Sequence, residues 1–289
     1  MLRFPMILGV ALATAMGAAS AQSPVAPSAA SAQSPLARGT YLMNGIVACG
    51  NCHTPQTPQG PVAGKELAGG TPFREGFGVA YAPNITPDAE TGIGKWTDEQ
   101  IIAAIREGKR PDGTIIGAPM PIALYRDLSD EDVKAIVAYM RAVPPVANKV
   151  AKSEYKVPLP PAYGPPITAA VTAPPKSDKV AYGAYLAGPL GHCIECHSSP
   201  GANGAPDFVN HLGAGGMSFN GPWGTTVARN ITPTNLGTWL DSDIKKAITE
   251  GVRPGGERLK PPMAYGYYKN ISRDDLDAVV VYLRSLKAK

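Results

Sequence analysis

The chain of 289 residues has few cysteines, few aromatic side chains and little excess charge. Four cysteines are too few for a fold built on a dense disulfide framework. Aromatic residues make up only 7% of the composition, which indicates that something other than side chains helps to fill the core. The formal net charge is +4 and no run of five like charges occurs, so the composition does not predict nucleic-acid binding.

Hydrophobic runs are also scarce, and the longest lies near the beginning of the chain. It covers residues 6–16, follows the cationic Arg3 and precedes the small residues of the segment ending at Ala21. Because a membrane-spanning helix needs ~20 apolar residues, this run is too short to be an anchor. The pattern predicts a signal peptide over residues 1–21 and therefore export, with residues 22–37 as a flexible lead-in to the mature protein.

The remainder of the sequence contains two copies of one unit. The matched segments are 39–53 with 183–197, 68–73 with 214–219, 84–87 with 230–233, 106–113 with 249–256, 119–121 with 262–264, and 128–143 with 271–286. Their separations stay between 143 and 146 residues, which indicates a tandem duplication. We predict one domain over 38–146, the first half, and another over 179–289, the second half. A Pro-rich linker over 147–178 is expected to run extended along the surface.

Short helices and long loops are predicted within each half. Thr97 is a predicted N-cap with Gln100 three residues later, which is the pattern of a capping box. Ser129 caps a second amphipathic helix that Pro144 ends, and the second half repeats both helices. Since no segment shows sustained strand alternation, the predicted fold class is all-α and loop-rich.

All four cysteines lie in two copies of the pattern Cys-x-x-Cys-His. The residues are Cys49, Cys52 and His53 in the first half, and Cys193, Cys196 and His197 in the second. Disulfides, zinc and covalent haem all use such patterns. A disulfide across so small a ring is typically redox-active rather than structural. The two pairs lie 141 residues apart, whereas the pairs of one zinc site are usually ~15–20 apart. A zinc site within each half would need a fourth ligand.

Covalent haem accounts for every residue of the pattern. The two thiols form thioethers with the haem vinyl groups, and the histidine supplies the proximal nitrogen ligand of the iron. Two copies at equivalent places, behind a predicted signal peptide, make the pattern specific. We therefore predict two haem c groups, with the four cysteines as attachment sites and the two histidines as iron ligands.

The predicted sixth ligands are Met120 and Met263. They align with each other, follow a proline in loops between helices, and lie 67 and 66 residues beyond their histidines. A methionine thioether is a frequent partner of histidine in cytochromes c and raises the potential. Met140 lies on a helical apolar stripe and is predicted to be core. His211 is an alternative ligand for the second haem.

Two arginines and one histidine are further candidate residues. Arg110 and Arg253 stand at matched positions and either pair with haem propionates or serve a helix C-terminus. His192 stands next to Cys193 and is predicted to point away from the iron, towards the surface.

Several segments together resemble a known family. They are GxYL with CxxCHTP, NITPDxxTGIGKWTDEQ, EGxRPDG, PMP and LSDEDVKAIVAYMRAVPPV. They are similar to the multihaem cytochrome c subunits of periplasmic dehydrogenases that oxidise alcohols, aldehydes, gluconate and related sugar acids. The resemblance covers nearly the whole predicted mature chain. It implies two tandem class I cytochrome c domains, each wrapped around a haem c, and supports Met120 and Met263 as axial ligands.

The resemblance also implies a function and a location. A periplasmic dehydrogenase would donate electrons, and a downstream cytochrome, quinone or oxidase would accept them, with the protein soluble or peripheral to the inner membrane. Many such subunits carry three haem motifs and a C-terminal membrane-binding segment, whereas this sequence has two motifs and ends YLRSLKAK. These differences also fit a soluble shuttle or a two-haem subunit of a different dehydrogenase.

The predicted role is electron transfer rather than enzymatic catalysis, because a six-coordinate iron has no vacancy for a substrate. The alternative is a dihaem peroxidase or sulfur-compound oxidase with one open haem. A half that lacked its methionine would favour that alternative, and both halves have one.

Overall fold

The computed structural model describes residue 1 and residues 33–57, 60–202, 204–221 and 223–289. The predicted signal peptide, apart from its first residue, and most of the predicted lead-in lie outside the described residues. Within the described ranges, no helix combines the length and the apolar character that crossing a membrane requires.

Short helices separated by long loops make up most of the described structure. The α-helices are α1 (Pro35–Met43), α2 (Gly50–His53), α3 (Asp98–Arg106), α4 (Ile122–Tyr125), α5 (Asp130–Ala142), α6 (Lys179–Tyr185), α7 (Cys193–His197), α8 (Pro233–Leu236), α9 (Asp241–Glu250), α10 (Tyr265–Tyr268) and α11 (Arg273–Ser285), and a π-helix spans Leu186–Leu190. The strands are β1 (Gln56–Thr57), β2 (Gly60–Pro61), β3 (Pro72–Glu75), β4 (Gly78–Tyr81), β5 (Glu154–Tyr155), β6 (Ser218–Gly221) and β7 (Gly224–Val227). All strand pairs are antiparallel, in the orders β1-β2, β3-β4-β5 and β6-β7.

The side-chain caps predicted for α3, α5 and α11 are confirmed. Thr97 Oγ1 accepts a hydrogen bond from Gln100 N at 3.3 Å, and Gln100 Oε1 accepts one from Thr97 N at 2.9 Å, which completes the capping box of α3. Ser129 and Ser272 cap α5 and α11 through their side chains. The duplication seen in the sequence therefore extends to the serine caps of α5 and α11, whereas α9 begins after Leu240, whose side chain makes no capping hydrogen bond.

The short antiparallel hairpins make the predicted all-α class too narrow. β3 pairs with β4 and β6 pairs with β7, at matched places in the two halves. Each of these strands has four residues, which is too short for alternation to stand out in the sequence. Gly78 and Gly224 take positive φ values of 124° and 88° where each hairpin turns.

Each half is built around the crossing of its first and last long helices, α1 with α5 and α6 with α11. Gly39 and Gly183 occupy matched positions at these crossings. A Cβ on Gly39 would overlap the carbonyl oxygen of Ala135, and one on Gly183 would overlap that of Ala278. Glycine is required at both places because the two backbones approach too closely for a side chain.

The two halves contact each other through a reciprocal pair of tyrosine contacts. The Tyr41 hydroxyl donates to Asp275 Oδ2 at 2.6 Å and accepts from Ser272 N at 3.0 Å. In the opposite direction, the Tyr185 hydroxyl donates to Asp132 Oδ2 at 2.7 Å. It also accepts a hydrogen bond from the backbone N–H of Ser129, the N-cap of α5, at 3.0 Å. Because each contact uses matched residues, the interface has the self-complementary character of a two-fold contact.

We expect Tyr41→Phe to destabilise the protein by about 1.5–3 kcal/mol, because the buried Asp275 carboxylate loses a charge-assisted hydrogen bond. Tyr185→Phe should cost less, since Asp132 keeps an ion pair with Arg38 at 2.7 Å. The measurement is urea unfolding of the haem-loaded protein. Tyr163→Phe is the control, because its hydroxyl bonds only a neutral backbone carbonyl, that of Ile116. Equal losses for Tyr41→Phe and this control would contradict the expectation.

The predicted linker lies along the first half and contains no helix. Its residues Glu154–Tyr155 form β5, which pairs with β4. The Tyr155 hydroxyl donates to the Ala118 carbonyl at 3.0 Å, and the Tyr163 hydroxyl donates to the Ile116 carbonyl at 2.8 Å. These two hydrogen bonds join the linker to the loop that carries Met120.

Candidate haem-binding sites

The first half encloses a cavity of about 260 Å³ that brings four of the predicted haem residues together. Cys49, Cys52, His53 and Met120 all line it. Cys49 directly precedes α2, Cys52 and His53 lie on α2, and Met120 lies in the loop before α4. Residues 67 positions apart in the sequence therefore face one space.

The walls of this cavity are mainly apolar. They include Val47, Ile85, Ile93, Trp96, Leu128 and Ile136. Protein interiors are normally packed without large voids, so an apolar space of this size is suited to holding an apolar group. An apolar macrocycle fits such walls, which also accounts for the low aromatic content of the sequence.

The second half contains a corresponding but smaller cavity of about 50 Å³. Cys193, His197 and Met263 line it, together with apolar residues from the helices around it. Cys196 is not among the lining residues, although it lies on α7 between the other two motif residues. The structure thus brings three of the four predicted residues of this site to one space.

Both motif histidines are held in the same way. His53 Nδ1 lies 2.8 Å from the Pro83 carbonyl oxygen, and His197 Nδ1 lies 2.6 Å from the Arg229 carbonyl oxygen. A carbonyl oxygen only accepts hydrogen bonds, so Nδ1 carries the hydrogen and Nε2 keeps its lone pair. Burial lowers the pKa of both imidazoles, which favours the neutral form that binds a metal. Each side chain is therefore oriented and protonated as an iron ligand requires.

The cysteine environments do not favour thiolate chemistry. Burial raises the pKa of Cys49 to about 12, with a smaller contribution from the neighbouring Cys52. Burial likewise raises the pKa of Cys52 and of Cys193 to about 11, and that of Cys196 further. Zinc sites and redox-active pairs depend on stabilised thiolates. In addition, the described residues contain no group of three His, Cys, Asp or Glu side chains arranged to hold a metal ion.

The remaining candidates from the sequence are Met140, His211, Arg110 and Arg253. Met140 is buried on α5, as predicted for a core residue, and its side chain also contributes to the first cavity. His211 is exposed, bonds Asp207 and does not line the second cavity, so the alternative in which it replaces Met263 is not supported. Arg110 lines the first cavity, and the buried Arg253 Nε has no hydrogen-bond partner among the described residues.

The prediction that His192 lies at the surface is wrong. Its side chain is only 26% exposed and lines the cavity of the first half, although the residue belongs to the second. The imidazole packs edge-on against the Tyr125 ring at 6.0 Å between centroids. Burial lowers the pKa of His192 to about 4, so the side chain is neutral near pH 7. No local pattern around the motif indicated this placement.

Other residues of the sites also escaped the sequence analysis. Tyr125 is buried in the wall of the first cavity, and its matched residue Tyr268 lines the second. From the linker, Ser153 and Tyr155 close part of the first cavity. The serine and tyrosine interrupt a Pro-rich segment, which is the one signal that could have drawn attention to them.

The two attachment segments lie near each other at the junction between the halves. Burial raises the pKa of Tyr268 well above its usual value, with further contributions from Cys193, Cys196, Cys52 and Glu195. The pKa of the half-buried Glu195 is itself raised to about 8 by desolvation. Asn51 of the first motif also donates a hydrogen bond to the Pro262 carbonyl of the second half at 3.4 Å, so the two sites adjoin.

Comparisons with known proteins agree with this geometry. Residues 34–140 match the family model described as cytochrome C oxidase, cbb3-type, subunit III, and residues 180–287 match the model of cytochrome c. Each match contains one complete Cys-x-x-Cys-His motif. The molecule therefore consists of two cytochrome c domains in tandem. The chain belongs to the c-type cytochromes and carries two haem c groups.

Its relatives include cytochrome subunits of dehydrogenases. The chain is 30% identical to the alcohol dehydrogenase (quinone) cytochrome c subunit of Gluconobacter oxydans, over 97% of this chain and 60% of the relative. It is 33% identical to the fructose dehydrogenase cytochrome subunit of Gluconobacter japonicus, over 88% of this chain and 53% of the relative. A diheme cytochrome c-type protein of Cereibacter sphaeroides is 29% identical over 83% of this chain and 82% of its own length. The chain thus spans little more than half the length of the two dehydrogenase subunits.

Proposed function

We propose that this protein relays single electrons through two haems, each held by one histidine and one methionine. The observation that carries the proposal is the first cavity, where Cys49, Cys52, His53 and Met120 meet in one apolar space. The second half repeats the arrangement with Cys193, His197 and Met263 around its own cavity, and Cys196 completes its motif. Each half wraps around its haem in the manner of a class I cytochrome c domain.

The residues of the chain position and insulate a redox group rather than transform a substrate. When bound, haem c supplies a one-electron iron couple. The backbone carbonyls of Pro83 and Arg229 fix the tautomer of the two histidines, which leaves Nε2 available as the iron ligand. The mainly apolar walls of the first cavity would shield a bound haem from water. Tyr155 steadies the methionine loop by donating to Ala118.

Two arginines would bind the haem carboxylates. Arg110 lies in the wall of the first cavity, and Arg253 holds the matched position with its Nε buried and unpaired among the described residues. A guanidinium suits a carboxylate because its planar donors match the two oxygens. This role is favoured over a helix-terminus charge because Arg110 faces the cavity, and a haem carboxylate would satisfy the Arg253 Nε.

The electron donor would be an exported dehydrogenase, and the acceptor a cytochrome, a quinone or an oxidase of the respiratory chain. The relatives from Gluconobacter, which are named as cytochrome subunits of alcohol and fructose dehydrogenases, support this assignment. The protein would work in the periplasm, soluble or as a peripheral protein at the inner membrane.

Carbon monoxide tests the proposal, because it binds ferrous haem only where the sixth position is open. The protein, expressed with its N-terminal segment in a host that attaches haem c, should contain two haems per chain. We expect the spectrum of the reduced protein to be unchanged by carbon monoxide. A response from about half of the haem would contradict the relay with two six-coordinate haems and would favour a dihaem peroxidase or sulfur-compound oxidase.

A further inference from the structure

The wall of each haem cavity includes a side chain from the opposite half. His192 of the second half lines the first cavity, whereas Ile46 of the first half lines the second. Both residues lie shortly before the Cys-x-x-Cys-His motif of their own half. The segment that leads into each motif therefore serves two sites, its own and the neighbouring one.

Backbone and side-chain contacts hold His192 in this position. Its N–H donates to the carbonyl of Gly188, in the middle of the π-helix, at 2.8 Å. The imidazole edge meets the ring of Tyr125, which is itself buried in the wall of the first cavity. On the other side, Nδ1 lies 3.6 Å from Glu195 Oε2, a polar contact longer than a hydrogen bond. The side chain is thus fixed between the two halves.

The first half makes a different contact at the matched positions. Ala48 corresponds to His192, and Asn51 corresponds to Glu195. Asn51 Nδ2 donates to the carbonyl of Pro262 at 3.4 Å, and Pro262 directly precedes Met263. The first half therefore contacts the methionine loop of the second, while the second half places an imidazole in the haem cavity of the first.

We propose that each half completes the haem site of the other, and that His192 is a positioning residue for the haem of the first half. The inference rests on the proposed function in requiring two redox-active haems. A polar imidazole in a mainly apolar wall changes the electrostatic environment of that haem, whereas Ile46 adds an apolar side chain to the wall of the other cavity. The difference between His192 and Ile46 therefore makes the surroundings of the two haems in this duplicated chain unequal.

Potentiometric titration of the intact, haem-loaded protein tests the inference. Met120→His and Met263→His, each made separately, identify which redox wave belongs to which half. His192→Ala should then change the reduction equilibrium of the first-half haem by about threefold or more, roughly 30 mV for a one-electron couple. The wave of the second-half haem should change less. Ile46→Ala should show the opposite pattern and shift the second-half haem.

This crossed pattern separates the inference from a merely local structural effect. If each substitution moved only the haem of its own half, or if His192→Ala moved neither, the inference would be wrong. Electron paramagnetic resonance of the ferric protein gives a second readout, because a displaced haem changes its low-spin signal. His192→Asn should move the first-half wave less than His192→Ala, since the amide keeps a polar group at the same place.

The substituted proteins are expected to fold. His192 has a φ of 40°, and Ala48 adopts a φ of 47° at the matched position, so alanine is compatible with this backbone. Asparagine also tolerates this region. Haem content and carbon monoxide insensitivity of the unsubstituted protein are measured first. Failure there would contradict the proposed function, whereas success there without the crossed shifts would contradict only the present inference.

Discussion

Replacing Cys49 and Cys52 together by serine will leave a protein that carries haem only in its second half. Serine cannot form the thioether bonds, so covalent attachment at the first site is lost while the second motif is unchanged. We expect one haem per chain in place of two, measured as covalently bound haem after denaturation and organic extraction. Cys193→Ser with Cys196→Ser is the matched control and should also leave one haem, in the first half.

Loss of the first haem should also destabilise the fold around it. In the proposed arrangement the group would fill a cavity of about 260 Å³ whose walls are mainly apolar. An unfilled apolar cavity costs on the order of 24 cal/mol per Å³, so the expected loss is several kcal/mol. Thermal unfolding should therefore occur at a clearly lower temperature than in the protein with two haems. Retention of two covalent haems after the double substitution would contradict the assignment of these thiols.

The prediction of the iron ligands rests on the internal comparison that the duplication supplies. Met120 and Met263 stood out as the aligned methionines, and both line the cavities that hold the motif histidines. The helices with strong N-caps, such as α3 after Thr97, were also predictable, because capping depends on residues close in the sequence. Features determined by local order or by repetition were thus accessible before the structure.

The contacts between the halves were not accessible in this way. His192 follows no period that points to the first cavity, and its place there depends on how the two halves pack. The same holds for Tyr41 and Tyr185, whose partners lie more than 50 residues away along the chain. Their matched positions indicated equivalent roles but not the partners. A repeat establishes what is equivalent, whereas only the tertiary structure shows how the two copies contact each other.

Replacing Met120 by alanine should open the first haem to carbon monoxide. Without the thioether, the iron of the first half loses its sixth ligand, and about half of the reduced haem should respond. The potential of that haem should also fall, because the thioether raises it. A change on the order of 0.1 V lies well within the ~0.8 V over which axial ligands tune haem potentials. Absorbance spectroscopy with potentiometric titration measures both effects.

Met140 provides a control within the same cavity. It also lines the first cavity, but it lies on α5 and aligns with Leu283, so Met140→Leu should change neither the response to carbon monoxide nor, by much, the potential. Met263→Ala should reproduce the effect of Met120→Ala in the second half. If Met140→Leu opened the iron and Met120→Ala did not, the ligand in the first half would be the helical methionine. The loop before α4 would then only enclose the haem.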